Sequence, residues 1–514
     1  MSGAPEAAGY PPLSGVSLGL AATALALGTF MQVLDSTIAN VSLPTISGSL
    51  GVSTSSGTWV ITAFAVANGV TVPLTGWLMR RFGVVRTFCF SVLAFTIASL
   101  LCGIAWSLES LIFFRILQGG VSGPMIPGSQ TLLMTIFPSH KRGSALGLWS
   151  AMTLAAPIFG PVLGGYISDN YPWGWIFLIN LPIGLVAGGI SWFMLRKRET
   201  PTAKVSVDTI GLALLAFWVF SLQTVLDLGK DRDWFQSGLI VALAIGAVIG
   251  FVAWVIWETT EEEPAVDLSL FARPNFALGV IALCLGYALL FANNLLLPLW
   301  LQEQMGYTAT WAGLVAAPAG IVAVISTPLI ARFKIDPRIM ATVAFLSFGG
   351  SFLLRSQYAP DASFLTLAAP MLLQGIAMTT FFVPLITITL DGLRTDQIPT
   401  ASGLSNFTRI TAGSFGASLV TTFWDRREAL HQARLAEVGT PFSSTFDKAL
   451  TQLQEVGMSQ LQAMGSIGRS VVNQAYLLST LDLFWISGWL SFALIGLVWF
   501  TRRPAPSDHV VAAD

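Results

Sequence analysis

Apolar runs of about twenty residues recur from Leu18 to Phe500, each long enough to cross a hydrocarbon core about 30 Å thick at 1.5 Å per helical residue. The buried strands of a soluble α/β enzyme would be roughly 4 to 8 residues long, and its helices would carry polar faces. The pattern therefore predicts membrane helices near residues 16–38, 59–78, 84–104, 109–131, 144–166, 174–194, 209–228 and 238–257. Six more follow near 275–299, 311–331, 339–355, 366–390, 401–424 and 483–501, fourteen in all. Basic residues test that count, because short cytoplasmic loops collect Lys and Arg. With the amino terminus inside, the cytoplasmic connections receive Arg80, Arg81, Arg86, Lys141, Arg142, Arg196, Lys197, Arg198, Lys204, Arg273, Arg332, Lys334, Arg338 and Arg394, while Arg502 and Arg503 follow the last span. The short outer loops hold Lys230 and Arg232, so the bias fits fourteen spans with both termini cytoplasmic.

The spans fall into a repeat. LQGGVSGPMIP, with Gln118, Gly119 and Pro127, is echoed by LLQGIAMTTFFVP, with Gln374, Gly375 and Pro384; Thr58-Trp59 and Arg81-Phe82 are echoed by Thr310-Trp311 and Arg332-Phe333. This predicts an all-α polytopic membrane protein of two six-helix bundles plus two additional central helices, a plan familiar among secondary transporters. Its parts are an N-terminal tail (1–15), a first bundle (16–195), a two-helix insertion with linkers (196–274), a second bundle (275–501) and a C-terminal tail (502–514). The tail at the start carries no Lys or Arg and does not read as a cleavable signal peptide. The outer connection 425–482 mixes charged and apolar residues at helical spacing, too polar to cross and too patterned for a slack linker. A cap over the transporter mouth and a docking surface for another protein both fit it.

Composition agrees with lipid as the solvent: 54% of residues are hydrophobic and 10% charged, against roughly 25% charged in a soluble protein. A net charge of -1 gives no basic stripe for nucleic acid. Cys89, Cys102 and Cys284 fall in or at the ends of apolar runs without metal-ligand spacing and read as small buried hydrophobes. No nucleotide-binding loop, zinc cluster or nucleophile elbow occurs, so neither an ATP-driven pump nor a membrane enzyme is expected.

What stands out is polar chemistry at membrane depth. In FMQVLDSTIANVSLPTI, Asp35 is the deepest acid; a charge facing lipid there costs roughly 2.5 to 3.5 kcal/mol, so it should face the bundle or a wet cavity. Gly28, Gln32, Ser36 and Ala39 fall toward its side of the helix. Such a carboxylate can take a proton from one side and lose it to the other, or lock helix packing through hydrogen bonds. His140, His431 and His509 lie in loops or the tail, so none carries protons at mid-membrane. Asn40, Ser42 and Pro44 read as hydrogen bonding and helix termination near the outer end. Arg115 is the complementary oddity, with Gln118 and Gly119 three and four residues on; it cannot usefully titrate but can tune a carboxylate or tie helices together. Arg409, nearer the inner end of its span, poses the same question. In APIFGPVLGGYISDN, Pro157, Gly160, Pro161, Gly164 and Gly165 permit tight helix contact or a bend about which halves rock. Gln32, Ser36, Phe64, Asn68, Phe291 and Asn294 are candidates for a substrate cavity of mixed apolar and amide character.

Taken in order along nearly the whole chain, LDSTIANVSLPTI, RILQGGVSGP and APIFGPVLGG resemble the signatures of the first, fourth and fifth spans of the major facilitator superfamily, in its fourteen-span drug:proton antiporter branch. The resemblance extends through VDLSLFARPNF, YTATWAGLVAAP and LSNFTRITAGSFG. It departs at GWLMRRFGVVR, where Arg80 holds a usually acidic position and Val84 and Val85 replace basic residues, leaving Arg81, Gly83 and Arg86 to shape the inner gate. The resemblance implies alternating access without a cofactor. A hydrophobic or amphiphilic toxic compound leaves as protons enter down their gradient, with Asp35 as carrier and Arg115 as its partner. It also implies a bacterial inner membrane and, in a Gram-negative source, a periplasmic adaptor and an outer-membrane channel, for which 425–482 is a contact candidate. A metabolite symporter, and a non-transporting scaffold or receptor, are the competing readings of the residues alone.

Overall fold

A computed structural model describes residues 13–138, 149, 156, 159–202, 208–229, 232–261, 264, 266–330, 335–393, 398–438 and 443–503. The described residues are helical throughout, with no strand among them. The first half comprises α1 (Gly15–Leu50), α2 (Trp59–Thr71), α3 (Leu74–Phe82), α4 (Val84–Gly103), α5 (Leu108–Ser122), α6 (Met125–Ile136), α7 (159–170) and α8 (Asn180–Leu195). The insertion is α9 (Thr209–Leu228) and α10 (Gly238–Thr260). The second half comprises α11 (Pro274–Glu303), α12 (Ala309–Ile330), α13 (Pro337–Arg355), α14 (Phe364–Leu390), α15 (Ile398–Val438), α16 (Ser444–Glu455) and α17 (Gln460–Trp499).

Ten described helices are long and apolar enough to cross a membrane, eleven when the pair either side of Pro73, bent by 57°, is taken as one span. Of the other three expected spans, α5 and α6 are two pieces of one run interrupted at Gly123-Pro124, α7 is the described end of the fifth, and α15 carries Arg409 and many hydroxyls. Proline accounts for the breaks, since it withholds an N–H and crowds the preceding turn. Pro44 acts differently from expectation. It lies inside α1, which runs on to Leu50 and stops at Gly51 with φ +68°. Neighbouring helices re-satisfy the freed backbone in a membrane helix, so one proline need not end it.

The repeat is visible in packing. Gly119 of α5 presses on the Phe64 carbonyl of α2, and Gly375 of α14 presses on the Ala319 carbonyl of α12; a methyl group at either would collide with backbone. The loop ends are held by related means, a carboxylate at the start of a helix in each half. Glu199, beyond α8, accepts from Val85 N–H at 2.9 Å and Arg86 N–H at 2.9 Å and so caps α4. In the second half Asp336 caps α13 through Arg338 N–H at 3.0 Å and pairs with Arg503, beyond the last span, at 3.1 Å. The unusual loop without its own acid therefore borrows one, and Gly83, at φ +91°, lies against Glu199.

The insertion packs on itself through Trp218, Phe251 and Trp254, and α9 touches both α2 and α15, so it lies along the seam between the halves. The outer connection is an extension of the spans: α15 and α17 continue past the apolar region and α16 folds back on α17. Arg427 and His431 both bind the Asp482 carboxylate at its base, the latter at 2.7 Å, and the Trp424 and Tyr476 rings meet at 4.8 Å, tilted by 57°.

Candidate functional site

Asp35 sits in the middle of α1 with no solvent exposure, and four other helical segments converge on it. Arg115 of α5 donates from Nη1 to its Oδ2 at 2.5 Å. Gln118, one turn along α5, donates to Oδ1 at 3.0 Å, and Asn180, at the start of α8, donates to the same oxygen at 2.7 Å. Ser99 of α4 accepts from Gln118 at 3.2 Å and from Asn180 at 2.9 Å while donating to the Phe177 carbonyl at 2.9 Å.

The guanidinium is held in turn through two of its nitrogens. Arg115 donates from Nε to the Val60 carbonyl of α2 at 2.9 Å and from Nη1 to Gln118 Oε1 at 2.7 Å. Its planar face lies over Phe64 at 4.2 Å and Phe177 at 5.4 Å. Both charged side chains are at most 1% exposed. Removing either charge would strand the other in a dry interior, at a cost of about 3 to 5 kcal/mol for a buried pair. One acceptor in this network is unused: Asn180 Oδ1 is buried without a hydrogen-bond partner. An ionised Asp35 needs donors, whereas a protonated one becomes a donor itself. Rotation of the Asn180 amide would then offer it an acceptor.

The second half carries the same site with its charge changed. Asn294 stands in α11 at the register of Asp35 in α1, and it accepts from Gln374 Nε2, the counterpart of Gln118, at 2.8 Å. Gln374 in turn binds Arg355, which also donates to Ser351 at 3.1 Å and stacks on Phe352 and Phe484. Arg355 is fully buried, has no carboxylate partner among the described residues, and leaves Nε and Nη1 without acceptors.

The other expected residues divide by location. Phe64 belongs to the Arg115 cage, and Asn68 donates to Ser122 at 2.6 Å, joining α2 to α5. Gln32 is buried beside Asp35 in sequence with Oε1 unpartnered, while Ser36 donates to its own helix at Val33 O. Arg409 lies over Tyr287 at 4.5 Å and Phe382 at 5.5 Å, within the second half, and the Tyr287 ring also meets Phe291. Arg81 is half-buried at the end of α3. Gly160 and Gly164 abut Thr37 and Ile38 of α1, Gly165 abuts Ala309 of α12, and the Pro161 carbonyl abuts Gly313. Pro157 lies outside the described residues, as do Lys141, Arg142, Lys204, Arg332, Lys334 and Arg394.

Ser99, Asn180 and Arg355 were not among the expected site residues. In sequence Asn180 stands at the turn into the sixth span, beside Trp173 and Trp175, and Arg355 at the end of the eleventh. The repeat held the one usable signal: Gln374 echoes Gln118 in sequence, and it binds Asn294 as Gln118 binds Asp35.

Two repeated helical bundles, a central pair of helices and a buried charge site in one bundle define a multi-span membrane transporter rather than an enzyme. Residues 25–417 match the Major Facilitator Superfamily, and the chain belongs to it. The multidrug export protein EmrB of Escherichia coli strain K12 is 49% identical over 496 residues, covering 96% of this chain and 97% of that protein. The fatty acid resistance protein FarB of Neisseria gonorrhoeae is 46% identical over 497 residues, covering 96% and 98%. Among solved structures, the peptide transporter POT in complex with sulfate superposes with TM-score 0.63 at 12% identity, covering 95% of this chain and 96% of that one. A bacterial homologue of the human lysosomal transporter Spinster gives 0.58 at 15%, covering 96% and 100%. These two likenesses concern the fold.

Proposed function

We propose that this protein is a proton-driven antiporter that exports hydrophobic or amphiphilic toxic compounds by alternating access across a bacterial inner membrane, both termini cytoplasmic. The observation that carries the coupling is the Asp35–Arg115 pair, closed off from water and shared among α1, α2, α4, α5 and α8. Protonating Asp35 converts the ion pair into a neutral acid beside a buried cation. One proton can therefore bias how α1 packs against α5 and α8. Asn180 supplies the acceptor for the protonated form and Arg115 the counter-charge for the ionised form.

The export direction and substrate class rest on similarity over nearly full length to EmrB and FarB. The same similarity supports a tripartite assembly in which the helical extension of α15, α16 and α17 meets a periplasmic adaptor that leads to an outer-membrane channel. The test is counterflow in proteoliposomes. An imposed inward proton gradient should drive export of a lipophilic compound, and Asp35→Asn should abolish that coupling while the protein still folds. Uphill export by well-folded Asp35→Asn would remove Asp35 as the carrier, and the lack of any substrate-linked proton flux would favour a scaffold.

A further inference from the structure

One contact between the halves is not explained by ordinary helix packing. At the end of the molecule where α1 finishes, α7 of the first half meets the first turn of α12 of the second. Asp169 accepts there from Ala309 N–H at 3.1 Å on Oδ1 and from Thr310 N–H at 2.7 Å on Oδ2. The first N–H groups of a helix have no partner within it, so they need an outside acceptor. For Ala309 and Thr310 of α12 that acceptor comes from the opposite half of the protein, while Trp311 N–H turns to Thr308 Oγ1 beside it. Partial burial pushes the Asp169 carboxyl up, but the hydrogen bonds from Thr310, Thr308 and Ala309 outweigh it and hold the group below the ordinary carboxylate range.

Close approach brings the carboxylate there. Gly165 lies directly on the Ala309 carbonyl and Gly313 on the Pro161 carbonyl, so the two backbones touch with no side chain between them. Two further bonds close the same end: Gln302 donates to the Val41 carbonyl at 2.9 Å, and Thr54 donates to Glu303. The other face of α7 rides on α1, where Gly160 and Gly164 meet Thr37 and Ile38 and Ser168 donates to Ser42 at 2.8 Å. Those α1 residues follow Asp35 within two turns. The helix that holds the buried acid is therefore the helix against which the seam residue is positioned.

We propose that Asp169 is the positioning residue of the outer gate: it caps α12 across the two halves while the outer face is shut, and the cap is released when that face opens. The proposal rests on the alternating-access reading and on its assignment of the α1 end to the outside. Asp169 lies at the surface. A cap of this kind contributes modestly, as a gate that reopens in every cycle requires. Loss of such a cap to Ala shifts an equilibrium about fivefold, whereas Asn keeps one acceptor oxygen for the two N–H groups and so retains part of the cap.

The test uses the full-length protein in nanodiscs with Cys89, Cys102 and Cys284 replaced by alanine. Spin labels go at Trp106→Cys and Asp361→Cys, exposed positions in the α4–α5 and α13–α14 loops of the two halves. Pulsed dipolar spectroscopy then reads the distance distribution across the seam. Wild type should be mainly short; Asp169→Ala should raise the long-distance population about fivefold, and Asp169→Asn, with one acceptor oxygen left, should fall between the two. Gly313→Ala, which sets a methyl group against the Pro161 carbonyl, should open the seam without touching Asp169 and serves if Asp169→Ala does not fold. Equal distributions for wild type and Asp169→Ala would overturn the proposal, as would an Asp169→Asn that opens as far as Asp169→Ala. Failure of proton-driven export with these distance shifts intact would count against the antiport reading and leave the gate standing.

Discussion

At the scale of single residues, the site depends on mutual neutralisation. Asp35 or Arg115 alone in this interior would be an unpaired buried charge, whereas together they neutralise each other and both carboxylate oxygens have donors. Arg115→Gln should therefore lower the thermal midpoint strongly, by the equivalent of about 3 kcal/mol or more, and Asp35→Asn likewise. The double variant should recover over half of the summed loss, because it removes both charges together. Thermal unfolding of the four proteins in one detergent closes that cycle, and additive losses would show that the pair is not coupled. The acid was visible in the sequence because a carboxylate inside an apolar run is conspicuous. Its partners were less visible: Ser99 and Asn180 are ordinary polar residues until folding brings five segments to one point.

At the scale of elements, helices are placed by small residues at crossings and by acids at their starts. Gly119 and Gly120 adjoin in α5, yet Gly119 lies against α2 backbone and Gly120 has open space. Gly119→Ala should cost several degrees of thermal midpoint, whereas Gly120→Ala should be neutral or slightly stabilising, since alanine suits a helix better than glycine by about 1 kcal/mol. Asp336, at the start of α13, gives a pH-dependent counterpart. Burial raises its carboxyl, but Arg338 and Arg503 outweigh that and hold it below the ordinary carboxylate range. A depressed folded-state value means that its stabilisation is complete above the unfolded value, about 4, and is lost as pH falls through the folded one. Thermal midpoints measured between pH 3 and pH 7 should fall less steeply toward acid in Asp336→Asn than in wild type. Span positions were legible at this scale, because hydrocarbon thickness sets their length. The 57° bend at Pro73 and the persistence of α1 through Pro44 were not, since the same residue breaks one helix and is tolerated in another according to its neighbours.

At the scale of the whole molecule, two halves share a plan and differ in charge. The first holds an acid and an arginine; the second holds Asn294 and Arg355 around the same glutamine. That asymmetry would place proton chemistry in the first half and leave the second as the body against which it moves. Outside the membrane, the extension formed by α15, α16 and α17 presents Val456 and Leu461 at 80% and 81% exposure, an arrangement suited to a protein partner. Val456→Glu together with Leu461→Glu should leave gradient-driven export in proteoliposomes unchanged while reducing resistance in cells at least tenfold. Resistance equal to wild type at equal expression would remove this surface as the adaptor contact.

By itself the sequence determined the membrane class, the repeated halves, the extra central helices and the acid at mid-membrane. Each follows from local rules: hydrophobic length, the bias of basic residues, and the cost of a charge in hydrocarbon. The tertiary structure alone decided which groups meet. The contact of Asp35 with Arg115 spans 80 residues, and that of Asp169 with Ala309 spans 140. No periodicity encodes separations of that size. They are fixed when glycines let backbones touch and buried polar groups take the partners that the packed helices leave within reach.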